Sequence, residues 1–192
     1  MGREFELKFR ASVRQMDAIK AEFDGFREIN MVTAYYDTPD QALFSRHWTL
    51  RCRQENDVSV CTLKTPCAEG GRNEWEVECA DIGSAIPELC KAGAPEALKD
   101  LAANNLEKVC GARFIRQAAL IELEGCTVEL ALDRGILQGG ARMQLLGEVE
   151  VELKSGSEEA AIGFARDLAV KYGLMQERFS KYIRALDLTG RI

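Results

Sequence analysis

Two short stretches, one near each end of this chain, place a glutamate at every second position. Residues 4–8 read Glu4-Phe5-Glu6-Leu7-Lys8, and residues 148–154 read Glu148-Val149-Glu150-Val151-Glu152-Leu153-Lys154. Side chains on a strand alternate faces, so Glu4, Glu6 and Lys8 share one face while Phe5 and Leu7 share the other. The second stretch sets Glu148, Glu150, Glu152 and Lys154 opposite Val149, Val151 and Leu153. If the apolar residues meet a core, each strand lines up two or three carboxylates on one surface. Carboxylates that close repel unless cations sit among them, and hard oxygen-seeking ions such as Mg²⁺ or Mn²⁺ suit that place. A half-exposed amphipathic strand gives the same alternation. Surface strands usually mix signs, however, and the second stretch is nearly pure glutamate.

Composition narrows the field further. At 192 residues the chain is long enough for one well-buried domain spanning 1–192, and length alone makes no case for two. Its 46% hydrophobic and 29% charged content is that of an ordinary globular protein. A net charge of −6 without a basic block or basic helix excludes nucleic acid as a main partner. No apolar run approaches membrane-spanning length, and no signal-peptide pattern precedes Glu4. Seven scattered cysteines without a CxxC pair read as reduced thiols, which with the missing signal implies a cytoplasmic protein. The single histidine, His47, makes a His-rich metal site or a Ser-His-Asp triad untenable and falls near a turn before a strand.

Periodicity predicts an α+β chain dominated by antiparallel pairing. Residues 12–24 have helical spacing, with Val13, Met16, Ile19 and Phe23 on one stripe and Ser12 as N-cap. Strands are expected at 29–38, 49–54, 58–64 and 72–79, with turns at Asp37-Thr38-Pro39-Asp40 and Asn56-Asp57. Residues 81–107 are helical in composition, broken by Pro87 and by Gly93-Ala94-Pro95. Strands at 111–123, 126–133 and 142–154, a helix at 157–172 and a short tail strand complete about eight strands.

The alternation also aligns cations. Arg51 and Arg53 share a face, Lys64 accompanies Thr62, and Arg72, Glu74, Glu76 and Glu78 lie opposite Trp75 and Val77. Arg116 lies opposite Arg113, and Asp133 shares the face of Glu129. With the apolar face inward, this is a barrel with a charged exterior. With the charged face inward, it is a polar tunnel whose apolar outside needs cover, and the amphipathic helices supply it. The expectation is therefore a closed eight-stranded antiparallel β-barrel with a charged interior and helices packed outside. A tunnel that mixes Arg and Lys with many carboxylates suits a polyphosphate and its divalent metal. Trp75 and Phe114 are expected to pack beneath helices.

These residues carry a resemblance. The chain is similar to the CYTH superfamily, or triphosphate tunnel metalloenzymes, which includes class IV adenylyl cyclases, thiamine triphosphatases and inorganic triphosphatases. Glu4-Phe5-Glu6-Leu7-Lys8 matches the ExExK signature. Tyr36-Asp37-Thr38-Pro39-Asp40, Leu50-Arg51-Cys52-Arg53, Thr62-Leu63-Lys64, Arg72-Asn73-Glu74-Trp75-Glu76, residues 129–135, residues 148–154 and Ser180-Lys181 follow in the family's order. The later stretches look most like the bacterial inorganic triphosphatase branch. Its members often carry a helical CHAD domain afterwards, and none is expected here because the chain stops at Ile192.

The resemblance implies metal-dependent hydrolysis of inorganic triphosphate to diphosphate and phosphate. Glu4, Glu6, Glu150 and Glu152 would hold Mg²⁺ or Mn²⁺, two ions in all, with Glu148 and Asp133 close by. Lys8, Arg51, Arg53, Lys64, Arg116 and Lys181 would grip triphosphate oxygens, and Glu74 and Glu76 would lie near the metals or brace the basic residues. Lys8, Glu150 and Glu152 would act closest to the chemistry, with Glu150 and Glu152 equal as general base. His47 stands where the family commonly has glycine. A nucleotide cyclase, a thiamine triphosphatase and a non-catalytic polyphosphate-binding module are the rival readings. The partner expected is a small-molecule triphosphate, with no nucleic acid or membrane, and a homodimer is compatible with the family's habit.

Overall fold

The computed structural model describes the backbone of residues 2–68 and 71–192, and side chains from Phe5 onward within those spans. Ten strands among the described residues form one antiparallel sheet. They are β1 Gly2–Glu4, β2 Glu6–Arg10, β3 Arg27–Asp37, β4 Thr49–Glu55, β5 Val58–Pro66, β6 Arg72–Glu78, β7 Glu107–Leu123, β8 Cys126–Gly139, β9 Arg142–Gly156 and β10 Met175–Gln176. Five α-helices accompany them: α1 Val13–Lys20, α2 Ile82–Lys91, α3 Ala97–Ala102, α4 Glu158–Tyr172 and α5 Lys181–Asp187.

The strand order is β1-β6-β5-β4-β3-β7-β8-β9-β2-β10. A closed eight-stranded barrel was the sequence expectation, and the ladder differs from it in having ten strands and two ends. The discrepancy lies at Phe5, which interrupts the first strand. Residues before it pair with β6 (Glu4↔Arg72), and residues after it pair with β9 (Glu6↔Glu152). One chain segment thus joins the far reaches of the strand order, and the sheet curls around the space between them.

Helices cover the apolar outer face. Ala161, Ala165 and Leu168 of α4 and Met16 and Ile19 of α1 bury against Val128, Leu130, Val149 and Val151. Ala85, Ile86 and Leu89 of α2, with Leu98 and Leu101 of α3, bury against Leu50, Cys61, Leu63 and Trp75. Each fully buried aliphatic side chain contributes roughly 1.5–3 kcal/mol, so these patches hold the helices outside and leave the inner face free to carry charge. Capping fixes where the helices start. Ser12 and Gln15 form a reciprocal capping box for α1, and Ser157 caps α4, which ends at Gly173 with φ +63°.

Two local expectations are corrected. Pro87 does not break its helix: α2 runs through it and ends before Gly93, whose φ is +100°. The tail strand is only the two-residue β10, and the residues after it form α5, capped by Ser180. His47 adopts φ +57° just before β4, a left-handed conformation that glycine takes without steric cost.

Candidate functional site

The inner face encloses a cavity of about 410 Å³, a size suited to a small molecule. Among the described residues, nine basic and seven acidic side chains line it, a cationic surplus that an anionic ligand would neutralise. Lys8, Arg51, Arg53, Lys64, Arg116 and Lys181 all reach it, as do Glu6, Glu74, Glu76, Glu150 and Glu152. The side chain of Glu4, the remaining glutamate of the first motif, lies outside the described residues.

Cross-strand register separates the charges into two walls. On β4 and β5, Arg51 stands opposite Thr62, and Lys64 opposite Thr49. The next strand braces this basic wall. Glu74 lies 3.2 Å from Lys64 and 3.6 Å from Arg51, and Glu76 accepts a 2.9 Å hydrogen bond from Thr62 Oγ1. Of the two roles expected for Glu74 and Glu76, bracing the basic residues is the one these contacts match. Burial, aided by the charges of Arg51 and Arg116, holds the Arg53 guanidinium below its ordinary range, even though Glu55 accepts from its Nε at 2.6 Å. Positive charge is thus crowded on this wall.

The opposite wall is acidic. Glu6, Glu152 and Glu129 are successive cross-strand neighbours on β2, β9 and β8, and all three line the cavity. Glu150 lies one step along, opposite Lys8. Residues directly opposite have Cβ atoms about 4.5–5.5 Å apart, and like charges so placed destabilise a sheet. Lys8 and Lys154 relieve part of this, at 3.0 Å from Glu6 and 2.8 Å from Glu152. Burial would lower the Lys8 pKa, but Glu6, Glu150 and Glu148 outweigh it and raise it. Hard carboxylate oxygens facing a cavity, with no thiol or imidazole among them, are the donor set that Mg²⁺ or Mn²⁺ prefers, and the site fits such an ion. The sequence pattern left Glu129 out of the candidate ligands. Its shared face with Asp133 was the available signal, and only the pairing with Glu152 places it in the row.

Asp133 and Glu148 do not line the cavity. Both are fully buried, and with Glu150 they form a tight trio of carboxylates. Three cations already match that trio. Arg116 donates to Asp133 from Nε at 2.8 Å and from Nη2 at 2.7 Å, and a short Nη2 contact reaches Glu150. Lys181 Nζ lies 2.8 Å from Asp133 and 2.6 Å from Glu150, and also touches Glu148. Arg184 closes on Glu148 from the far side. Burial pushes the Glu148 carboxyl up to about 7, with Glu150 adding to the effect and Lys181 and Arg184 opposing it. Burial acts the same way on Glu150, but Lys181 and Arg116 hold it well below its ordinary value. Asp133 and Glu148 therefore position cations at the cavity wall.

The network continues to the surface. Arg184 Nη1 lies 3.5 Å from Glu177, which accepts from Arg10 Nε at 2.5 Å and from the Phe179 backbone N–H at 2.9 Å. Neither Arg184 nor Glu177 belongs to a motif read from the sequence. Trp75 packs under α2 as expected. Phe114 is buried in a cluster with Tyr182, Ala185 and Leu186 of α5, and its ring also borders the cavity, with Lys181 Nζ 5.4 Å and Arg116 Cζ 5.9 Å from its centroid.

Comparison with known proteins agrees with this architecture. A family model described as the CYTH domain matches residues 2–186. The inorganic triphosphatase of Haemophilus influenzae is 28% identical over 175 residues, which is 88% of this chain and 50% of that protein. The chain thus spans about half the length of the curated relative it matches. Among solved structures, a Hippeastrum protein described as a putative adenylyl cyclase with a dominant triphosphatase activity superposes with TM-score 0.70. It is 20% identical, over 100% of this chain and 97% of that one. A protein of Pyrococcus horikoshii superposes with TM-score 0.63 at 21% identity, over 96% and 98%. A putative adenylate cyclase of Bacillus halodurans gives 0.62 at 20%, over 96% and 98%.

Proposed function

Because the chain belongs to the CYTH domain family, matched across residues 2–186, we propose that it is a metal-dependent hydrolase that cleaves inorganic triphosphate to diphosphate and phosphate. The observation that carries this reading is a cavity of about 410 Å³ lined by both signs of charge, with Arg51, Arg53 and Lys64 on β4 and β5 and a row of Glu6, Glu152 and Glu129 across β2, β9 and β8. The surplus of basic over acidic side chains in the lining favours an anionic ligand. A bare anion would be repelled by the carboxylates unless a divalent cation accompanied it.

In this reading Arg51, Arg53 and Lys64 hold the phosphate chain from one side, while Lys8, Arg116 and Lys181 hold it from the other. Guanidinium groups grip phosphate oxygens in pairs, and ammonium groups act as point charges. Glu6, Glu150, Glu152 and Glu129 would hold the divalent ions, two in number, and the ExExK resemblance adds Glu4 to that set. Bound there, a divalent ion neutralises phosphate oxygens and activates the attacking water. The basic side chains steady charge on the departing diphosphate, because their positions are fixed before reaction by Asp133, Glu74 and Glu76. Glu150 and Glu152 are the two candidates in this reading for taking a proton from water.

The test is phosphate release from inorganic triphosphate, ATP and thiamine triphosphate, with Mg²⁺ or Mn²⁺, for the wild type and Glu6→Gln. Metal-dependent release from triphosphate, lost in the variant, is the expected result. Tight triphosphate binding without release from any of the three would replace it with a binding module. Diphosphate from ATP without free phosphate would identify a cyclase.

A further inference from the structure

The outer face of the basic wall carries chemistry that phosphate transfer does not use. Cys52 on β4 and Cys61 on β5 stand directly opposite each other across the ladder. Opposed residues in antiparallel strands have Cα atoms about 4.5–5.5 Å apart, inside the window of roughly 4.4–6.8 Å that a disulfide requires. Their thiols also converge. Cys52 Sγ donates to the Cys79 carbonyl oxygen at 3.6 Å, and Cys61 Sγ donates to the same oxygen at 3.2 Å.

We propose that Cys52 and Cys61 are a modification site, a thiol pair that a peroxide oxidises to a reversible disulfide. The two cysteines differ in access. Cys61 is fully buried, whereas Cys52 is only partly buried, so peroxide meets Cys52. Burial pushes the Cys61 thiol far above its ordinary range, with Cys52 and Cys79 adding to the effect. Cys61 is thus not the first to react, and its place directly opposite Cys52 makes it the partner of the bridge.

The chemistry balances in two steps. The Cys52 thiolate attacks one peroxide oxygen, the O–O bond breaks, Cys52 becomes a sulfenic acid, and the departing hydroxide takes up the proton the thiol had lost and leaves as water. Cys61 then attacks that sulfur, its proton and the sulfenic hydroxyl depart as water, and the S–S bond forms. Peroxide takes up two electrons, one from each sulfur overall. A dithiol reductant returns both thiols by exchange.

Three other cysteines have different partners. The Cys79 thiol donates to the Asp81 carbonyl at 3.2 Å, Cys110 stands opposite Tyr35, and Cys126 opposite Leu123. Neither Cys52 nor Cys61 lines the cavity, so the proposal is independent of the hydrolase reading.

The test treats the full chain with hydrogen peroxide, alkylates remaining thiols, digests it and maps the peptides by mass spectrometry. A Cys52–Cys61 linked peptide, lost on dithiothreitol treatment, with two of the seven free thiols consumed, is expected. The link should persist in Cys79→Ser and vanish in Cys52→Ser. Alkylation of both cysteines after oxidation would overturn the proposal. So would a bridge to Cys79, or Cys52 oxidised to sulfinic acid beside an alkylated Cys61. The wild-type map decides the matter even where a variant fails to fold.

Discussion

Arg116 grips Asp133 through two parallel hydrogen bonds, Nε to Oδ1 at 2.8 Å and Nη2 to Oδ2 at 2.7 Å, and the carboxylate it grips is fully buried. A forked donor on a planar carboxylate fixes direction as well as distance. The guanidinium plane is therefore set by Asp133, while its remaining surface meets the cavity and the Phe114 ring.

Arg116→Lys tests that geometry. An ammonium carries the charge but cannot make both bonds, so Asp133 loses one of its two hydrogen bonds from position 116 while Lys181 stays at Oδ2. Losing a hydrogen bond to a charged group costs about 1.5–3 kcal/mol. Thermal unfolding should record a lower Tm. In kinetics, kcat/KM for triphosphate should fall roughly 10- to 100-fold, at about 1.4 kcal/mol per decade. Wild-type kinetics in the lysine variant would show that charge alone matters at this position.

The two groups of carboxylates should separate under metal titration. Glu152 faces the cavity beside Glu6 and Glu129, so Glu152→Gln should raise the Mg²⁺ or Mn²⁺ concentration needed for half-maximal activity by about tenfold or more, with little loss of stability. Asp133 is surrounded by Arg116 and Lys181. Asp133→Asn should instead destabilise by roughly 3–5 kcal/mol, the cost of breaking a buried ion pair from one side, and leave the metal requirement of the surviving activity unchanged. Activity against metal concentration, with Tm beside it, distinguishes the two. A metal requirement shifted by Asp133→Asn would return Asp133 to the ligand set.

The difference between these groups also marks how far the sequence could be read. Alternation is local, so the inward faces of β2, β4, β5, β6 and β9 were legible residue by residue, and each basic side chain expected in the site reaches the cavity. Depth is not local. Asp133 and Glu148 have the same parity as cavity-facing residues, yet α5 packs over them and brings Lys181 and Arg184 to their oxygens. The sequence pattern predicts a short tail strand and no helix after it, so the burial that α5 causes is invisible there. Glu129 was missed for a related reason, since membership of the acidic row depends on its register with Glu152. The break at Phe5, which sends one segment to both ends of the strand order, leaves no mark on hydrophobic periodicity.

A pH dependence follows from Glu177. Burial alone would raise its carboxyl, but the hydrogen bond from Arg10, the Phe179 backbone N–H and the charge of Arg184 outweigh it and hold the pKa below its ordinary value of 4.5. A depressed pKa in the folded state means that the unfolded chain binds the proton more readily. The contribution of Glu177 is then fully present above about 4.5 and is lost as pH falls through the folded value. Glu177→Gln should be less stable than wild type near neutrality, and the gap in Tm should narrow below that pH. A gap that stays constant on acidification would show that Glu177 contributes through packing alone.

The final prediction concerns how Lys181 is held. Ser180 caps α5, so Lys181 and Arg184 lie one turn apart on one face of the helix, and both bind Glu148. Arg184 also reaches Glu177, which ties the segment before the helix to β2 through the backbone bond from Glu177 N–H to Lys8 O at 2.8 Å. Removing Arg184 leaves Glu148 with Lys181 as its remaining cation and draws the ammonium away from Glu150 and the cavity. Arg184→Met should therefore raise KM for triphosphate several-fold and destabilise the protein by about 3–5 kcal/mol, as for a buried pair broken on one side. Glu148→Gln alone should also destabilise. The double variant should be less damaged than the sum of the two, because each single change strands the partner's charge. Unfolding free energies for the cycle, with KM measured on each protein, give the coupling directly. Strict additivity would mean that Arg184 and Glu148 act separately and that Lys181 is positioned by Asp133 and Glu150 alone.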